Sequence, residues 1–459
     1  MRYTPNSSLG TIHQQSWGET TTFCNGNETE HSEFEQHSEV KNGINHAINT
    51  YYVGEIGKWT VDFNADYLNS KMNNHQNAMD GNSKDISSTS NSESKLYAVK
   101  LQAKVTLGKG EFVLGSEGTL TERNAIFTQN GFSEDADNFI RQKAISAFTG
   151  YSVTLGKWKA MAGLRYEHRK TDYYDNGIYQ SEQSPTYNEL IPTATINWNH
   201  QDVSFALAYK MQRGNPSYQM LTNTISYRTQ YSYTTENPRL EPSQTNILSL
   251  NASYKWLFAN IQYIRAKNSL ANITMPYNDD THPGVLLFSS ANLATYNGYS
   301  LNLTASPKIG IWQPQFSASA QLSAPDGRNL GIEVYHKQPL FAFGWDNSFN
   351  LPHGWFLNLQ ANLHTGGRMG FFVAHTEGQI NARLSKSMLK DNSLTLALIA
   401  NDILRTGYYH FNVYGIDSYN GNRIYRDWQR IGIQFSYKFN ATKSKYKGTG
   451  AGQDEKNRL

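Results

Sequence analysis

The stretch Arg430-Ile431-Gly432-Ile433-Gln434-Phe435-Ser436-Tyr437-Lys438-Phe439 decides the fold. Ile431, Ile433, Phe435, Tyr437 and Phe439 share one parity; Gly432, Gln434, Ser436 and Lys438 share the other. A strand sends successive side chains to opposite faces, so this is a ribbon with one apolar and one polar side. The same pattern recurs back toward the first third of the chain. Tyr97, Val99, Leu101, Ala103 and Val105 oppose Ala98, Lys100, Gln102 and Lys104. Trp312, Pro314, Phe316, Ala318 and Ala320 oppose Gln313, Gln315, Ser317 and Ser319. The repetition predicts an all-β fold: an antiparallel up-and-down transmembrane β-barrel with an apolar outer wall and a wet interior.

The connections sort by length. Expected strands are joined on one side by short turns: Gly57-Lys58, Gly108-Lys109-Gly110, Gly156-Lys157, His200-Gln201, Pro352-His353-Gly354 and Lys390-Asp391-Asn392. Gly, Asn and Asp suit the tight reversals. On the other side the connections are long and polar, near 71–93, 122–138, 172–187, 213–240, 271–292, 325–337, 365–377 and 405–428. Outer-membrane barrels connect strands this way, with long loops outside the cell. About ten residues at ~3.3 Å, tilted by ~40°, span the ~25 Å apolar band of such barrels. Trp59, Trp158, Trp312 and Trp355 each open a strand after a short turn, which places an aromatic girdle at one rim. Lys386 and Asp402 are expected on the outward face near strand ends.

Composition agrees. Of 459 residues only 38% are hydrophobic, yet 29 Tyr, 21 Phe and 9 Trp are present. That is little material for a thick core but suits rims that meet lipid headgroups. A net charge of +3 is too mild to point to nucleic acid. Cys24 is the single cysteine, so no intrachain disulfide forms. Residues 1–42 read as a strand stub and a polar loop, 43–439 as a partial barrel of roughly seventeen strands, and 440–459 as a polar tail. The N-terminal residues lack an apolar leader, so the chain is expected to be the C-terminal piece of something longer.

Chemistry-bearing clusters are sparse. Asp279-Asp280 with His282, and Glu134-Asp135-Ala136-Asp137, read as solvated loop tips rather than acid/base or Ca²⁺ sites. No enzyme, metal or cofactor is expected. The competing reading is a soluble, secreted all-β surface protein that binds glycans through a Tyr-rich face. It requires the apolar positions to pack sheet on sheet and loops of similar length at both ends.

Two segments carry a family resemblance. The first is Arg213-Gly214-Asn215-Pro216-Ser217-Tyr218 with Leu221, followed by Glu236-Asn237-Pro238-Arg239-Leu240-Glu241-Pro242-Ser243 and Asn246. The second is the last strand and the tail containing Tyr446-Lys447-Gly448-Thr449-Gly450-Ala451-Gly452. Together they resemble TonB-dependent outer-membrane receptors of the outer membrane protein β-barrel branch; Glu236 stands where that family usually has Gly. The resemblance implies a barrel of about 22 strands with a plug in its lumen, TonB as a partner, outer-membrane lipid around the wall, and uptake of an unidentified nutrient. Physically, Pro216 and Pro238 mark where ladder pairing stops, and Asn215 and Asn237 favour turns. Arg213, Asn215, Pro216, Ser217, Asn237, Pro238, Leu240 and Pro242 are expected to shape an extracellular loop. Tyr218, Tyr227, Tyr231 and Tyr233 are its candidate ligand contacts.

Overall fold

The computed structural model describes residues 2–6, 11–24, 27–42, 45–80, 84–277, 284–332, 338–389, 392–416, 418–425, 428–439 and 450–459. The wall begins with β1 (Arg2–Asn6), β2 (Thr11–Cys24), β3 (Asn27–Asn42), β4 (Asn45–Ile56), β5 (Trp59–Asp80), β6 (Lys84–Leu107), β7 (Gly110–Gln129), β8 (Ala136–Leu155) and β9 (Trp158–Asp175). The short β10 (Ile178–Tyr179) precedes β11 (Thr186–His200) and β12 (Val203–Gly214), and a loop hairpin follows, β13 (Ile225–Thr229) and β14 (Ser232–Thr235). The wall resumes with β15 (Ser243–Tyr254), β16 (Leu257–Pro276), β17 (Leu286–Ala305), β18 (Trp312–Asp326), β19 (Leu340–Leu351) and β20 (Trp355–His364). After β21 (Gly367–Met369) and β22 (Phe372–Ala374) come β23 (Glu377–Met388) and β24 (Leu394–Asn401). Then follow β25 (Tyr408–Gly415), β26 (Ser418–Tyr425), β27 (Arg430–Tyr437) and a single helical turn, α1 (Gln453–Lys456).

Sequential wall strands pair antiparallel throughout. β3 and β4 both pair β5, on its upper and lower halves, while β2 pairs β3 and β1 pairs β4. Each pair therefore acts as one interrupted strand, and the wall has eighteen strands among the described residues. That is one more than the expected seventeen. It is also an even number, as in single-chain barrels. A separate four-stranded sheet, β21-β22-β25-β26, is built from loop segments. β24 pairs β27, and among the described residues the outer edge of β27 has no strand beside it.

The short turns anticipated from sequence lie at one end of the wall, with Gly57, Gly108 and Gly156 at positive φ; Lys390 and Asp391 of the Lys390-Asp391-Asn392 turn lie outside the described residues. The long connections gather at the other end. Strands on that side run farther than expected. Much of 71–93 belongs to β5 and β6, which pair continuously from Trp59–Val105 to Asp80–Lys84. The stretch 11–42, expected as loop, forms the paired β2 and β3. Both regions are Ser-, Asn-, Gln- and Glu-rich on both faces. Hydropathy alternation reports only the part of a strand that meets lipid; backbone pairing continues beyond it, where both faces are wet.

The apolar face points away from protein. Leu101, Phe343 and Trp345 are 47%, 49% and 47% exposed, whereas Leu96 and Ala98 on the polar side of β6 are 0% and 2% exposed. No second layer covers the apolar face among the described residues. This overturns the soluble sandwich reading, which needs those positions buried between sheets.

Candidate functional site

The loop that leaves β12 carries most of the motif residues. It returns to the polar face of the wall instead of standing free. Arg213 ends β12 and is buried; its Nη1 donates to Glu189 Oε2 at 2.9 Å, and its guanidinium lies 4.7 Å from the Tyr187 ring centre. Asn215 is half-buried, with its Oδ1 buried and unpartnered. Ser217 Oγ accepts the Met220 N–H, a turn the hydroxyl favours. Tyr218 and Leu221 then pack with Ile140, Tyr173 and Leu240 in one apolar cluster. Asn237 fixes the return: its Oδ1 accepts the Arg239 N–H and its Nδ2 donates to Ser290 O. Pro238 and Pro242, with Asn215 and Pro216, line a small cleft beside Tyr187.

Tyr218 meets a network that was not anticipated. Its hydroxyl donates to Glu455 Oε2 at 2.7 Å and approaches Gln142 Oε1 at 3.1 Å. Glu455 in turn accepts from Arg169 Nη1 at 2.5 Å and from Arg458 Nη1 at 2.8 Å. Arg458 stacks on the Tyr218 ring at 4.1 Å, donates Nε to Pro216 O at 3.0 Å, and bonds Gln142. Arg169 is also held by Glu167 at 2.9 Å. Burial alone pushes the Glu455 carboxyl up. The Arg458 and Arg169 charges and the Tyr218 hydroxyl more than offset it, leaving Glu455 at about 2. Burial raises the Tyr218 hydroxyl above its usual range. The polar tail expected after the last strand is thus partly a lumenal element, with Glu455 and Arg458 buried. The signal for it was the Glu455-x-x-Arg458 spacing, which puts both side chains on one face of a helical turn.

A second cluster forms where the β13–β14 hairpin crosses the mouth. Tyr227 and Tyr233 are buried with Ala78, Ile86 and Val285, and Phe132 and Tyr277 pack against them. Phe132 and Tyr233 ring centres are 4.5 Å apart at 68°, and Tyr233 and Tyr277 are 5.1 Å apart at 77°. Edge-to-face pairs of this kind add to the burial term. The hairpin backbone is anchored on both sides. Gln76 Nε2 donates to Tyr227 O and Tyr227 N–H donates to Gln129 Oε1 on one wall; β14 pairs parallel to β17 on the other. Tyr231 is half-buried, and its carbonyl accepts the Leu286 N–H. Beneath the hairpin lies a polar cavity of about 370 Å³ bounded by β2, β3, β5, β6 and β7. Its lining is mostly Ser, Thr, Asn and Gln, with Arg123, Arg228 and Glu236 the charged members.

A model of the outer membrane protein beta-barrel family matches residues 55–437. The chain belongs to that family. It is an outer-membrane protein with a β-barrel wall. Comparison with curated proteins finds no match. Among solved structures, this outer-membrane barrel is similar to the ferric yersiniabactin uptake receptor FyuA of Yersinia pestis. The identity is 10%, over 95% of this chain and 77% of that one, with a TM-score of 0.56. It is also similar to the ferric citrate transporter FecA in its unliganded form, at 12% identity over 94% of this chain and 70% of that one, TM-score 0.58. The iron transporter FrpB of Neisseria meningitidis matches at 12% identity over 93% of this chain and 71% of that one, TM-score 0.56. At these identities the likeness is one of fold.

In this outer-membrane barrel Trp59, Trp158, Trp312 and Trp355 each begin a strand at the short-turn rim. Trp198 pairs across from Trp158, with ring centres 6.4 Å apart, so the rim gains an aromatic the sequence did not single out. Lys386 stays at this rim: its Nζ lies 5.2 Å from the Trp355 ring centre and donates to His353 O. Asp402 departs from its expected outward place. It lies just beyond β24, fully buried, and accepts from the Thr406 and Gly407 N–H groups and the Tyr425 hydroxyl. A carboxylate is tolerated there because the loop supplies donors. Asp135 accepts the Gln129 N–H and serves its own loop. Asp279, Asp280 and His282, and the side chain of Cys24, lie outside the described residues.

Proposed function

We propose that this chain is the barrel of a TonB-dependent uptake receptor that admits a scarce nutrient across the outer membrane, working with a plug and TonB. The observation that carries the reading is the hairpin-roofed polar cavity on the long-loop side of a wall whose other face meets lipid. Its size falls within the range of ligand sites, and hydrogen-bonding side chains converge on it from several strands. Tyr227 and Tyr233 act as pillars of the roof, half-buried Tyr231 at the hairpin turn is the ligand contact, and Tyr218 belongs to the buried Glu455–Arg458 network. The neighbours named above carry ferric complexes or iron by their descriptions. The cavity here is lined mainly by uncharged hydrogen-bonding side chains, which suits a polar, hydroxylated solute.

The test has two readouts. Expressed behind a signal peptide, the chain should fractionate with the outer membrane and need detergent for extraction; recovery as a soluble protein would end the reading. In micelles, titration with a linear glucan oligosaccharide should quench tryptophan or tyrosine fluorescence saturably, and filling the cavity with Ser90→Trp should abolish it. Saturable binding of ferric citrate in place of the oligosaccharide would overturn the assigned ligand class.

A further inference from the structure

The last residues of the chain fit the polar face of β5 to β9 as a peptide fits a built site. Gly450 and Gly452 both lie at positive φ, 74° and 64°, which turns successive backbone N–H groups toward the wall. Gly450 N–H donates to Asn64 Oδ1 at 3.1 Å, Ala451 N–H to Asp66 Oδ2 at 2.6 Å, and Gly452 N–H to Glu117 Oε1 at 2.8 Å. Ala451 is fully buried with Leu96 and Ala98. A Cβ on Gly452 would stand 2.7 Å from Ala98 Cβ, so only glycine fits. α1 then aims Lys456 at Asp66, 3.0 Å away, and Glu455 and Arg458 into the Arg169–Gln142–Tyr218 network.

These partners are separated by nearly the whole wall. The segment follows β27, at one edge of the sheet, and binds strands close to the opposite edge. The wall presents its acceptors in a row: two successive inward positions of β5 and one of β7. We infer that the polar face of β5 to β9 is a peptide-binding site for residues 450–459 of the same chain. Its occupation straps the end of the chain to the N-terminal half of the wall, away from the edge that β27 forms among the described residues. This goes beyond receptor function and does not depend on the nature of the ligand.

The experiment is thiol crosslinking of the full chain in detergent micelles, in a Cys24→Ser background. Glu122→Cys with Arg141→Cys places thiols on register partners of β7 and β8 and reports a formed wall. Ala98→Cys with Ala451→Cys reports docking. With a short bis-maleimide both pairs should crosslink. Adding Gly452→Ala should lower the docking yield at least fivefold and leave the wall pair unchanged. Lys456→Asp should lower it too, whereas Lys456→Arg should leave it unchanged. Efficient wall crosslinking without docking crosslinking, or a docking yield indifferent to Gly452→Ala, overturns the site. Gly452→Ala should also lower the temperature at which the folded gel band converts to the unfolded one; an unchanged temperature overturns the strap.

Discussion

Glu455 shows how one buried carboxylate can make a contact depend on pH. Its folded value of about 2 lies below the ordinary 4.5. The depressed group adds stability that is fully present above pH 4.5 and is lost as pH falls through about 2. The displacement corresponds to roughly 3 kcal/mol. Thermal melts in micelles between pH 5 and pH 2 should therefore show wild-type stability converging on that of Glu455→Gln. Parallel curves for the two proteins would mean that Glu455 is not ionised in this network. On the opposite face the governing term is lipid. Leu301 points outward between Tyr299 and Leu303 in the lipid-facing stretch of β17, so Leu301→Arg should cost roughly 2–4 kcal/mol of stability measured in a bilayer. Arg at the neighbouring inward Ser300 should cost far less. Equal costs at the two positions would contradict the assignment of faces.

Among the elements, the β13–β14 hairpin is held by aromatic side chains more than by its own ladder, which has few rungs and a register shift between Tyr227 and Thr229. Tyr233 is 2% exposed and touches three other rings. Tyr233→Ala should remove about 3–5 kcal/mol of local packing and open the hairpin as a unit. Limited proteolysis between Thr224 and Glu236 should then accelerate at least tenfold while the wall stays intact, and an unchanged cleavage rate would show that the backbone bonds to Gln76 and Gln129 suffice. This hairpin also marks where the sequence stops being readable. β6 could be read from its own residues because Tyr97, Val99 and Leu101 face lipid and Ala98 and Lys100 do not. β2 and β3 could not, because Gln14, Ser16, Gln36 and Ser38 lie where neither face needs to be apolar. Within the motif, the turn roles of Asn237 and Ser217 follow from their chemistry. The burial of Tyr218, Tyr227 and Tyr233 does not, since it depends on partners such as Glu455 and Phe132 that are remote in sequence. A charged tail gives no local sign that its acceptors sit on β5 and β7.

For the whole molecule the governing fact is that, among the described residues, the sheet has two edges. β27 has exposed side chains on both faces: Ile431, Ile433 and Phe435 are 80%, 69% and 76% exposed, and Gly432, Gln434 and Ser436 are exposed too. Its outer N–H and C=O groups meet no strand among the described residues, and β1 with β2 forms the other edge. Unpaired backbone groups in hydrocarbon each cost several kcal/mol, which is why only closed barrels and helices span bilayers. A micelle admits water and loose detergent along such an edge, so the wall can persist there with the tail strapped to its N-terminal half. A bilayer does not offer this relief. Added to preformed lipid vesicles, the chain by itself should give only a minor heat-modifiable band. Strands supplied to pair with β27 and with β1–β2 should raise that fraction severalfold. A fully shifted band from the chain alone in vesicles would show that the two edges find each other in lipid, and that eighteen strands suffice to close the wall.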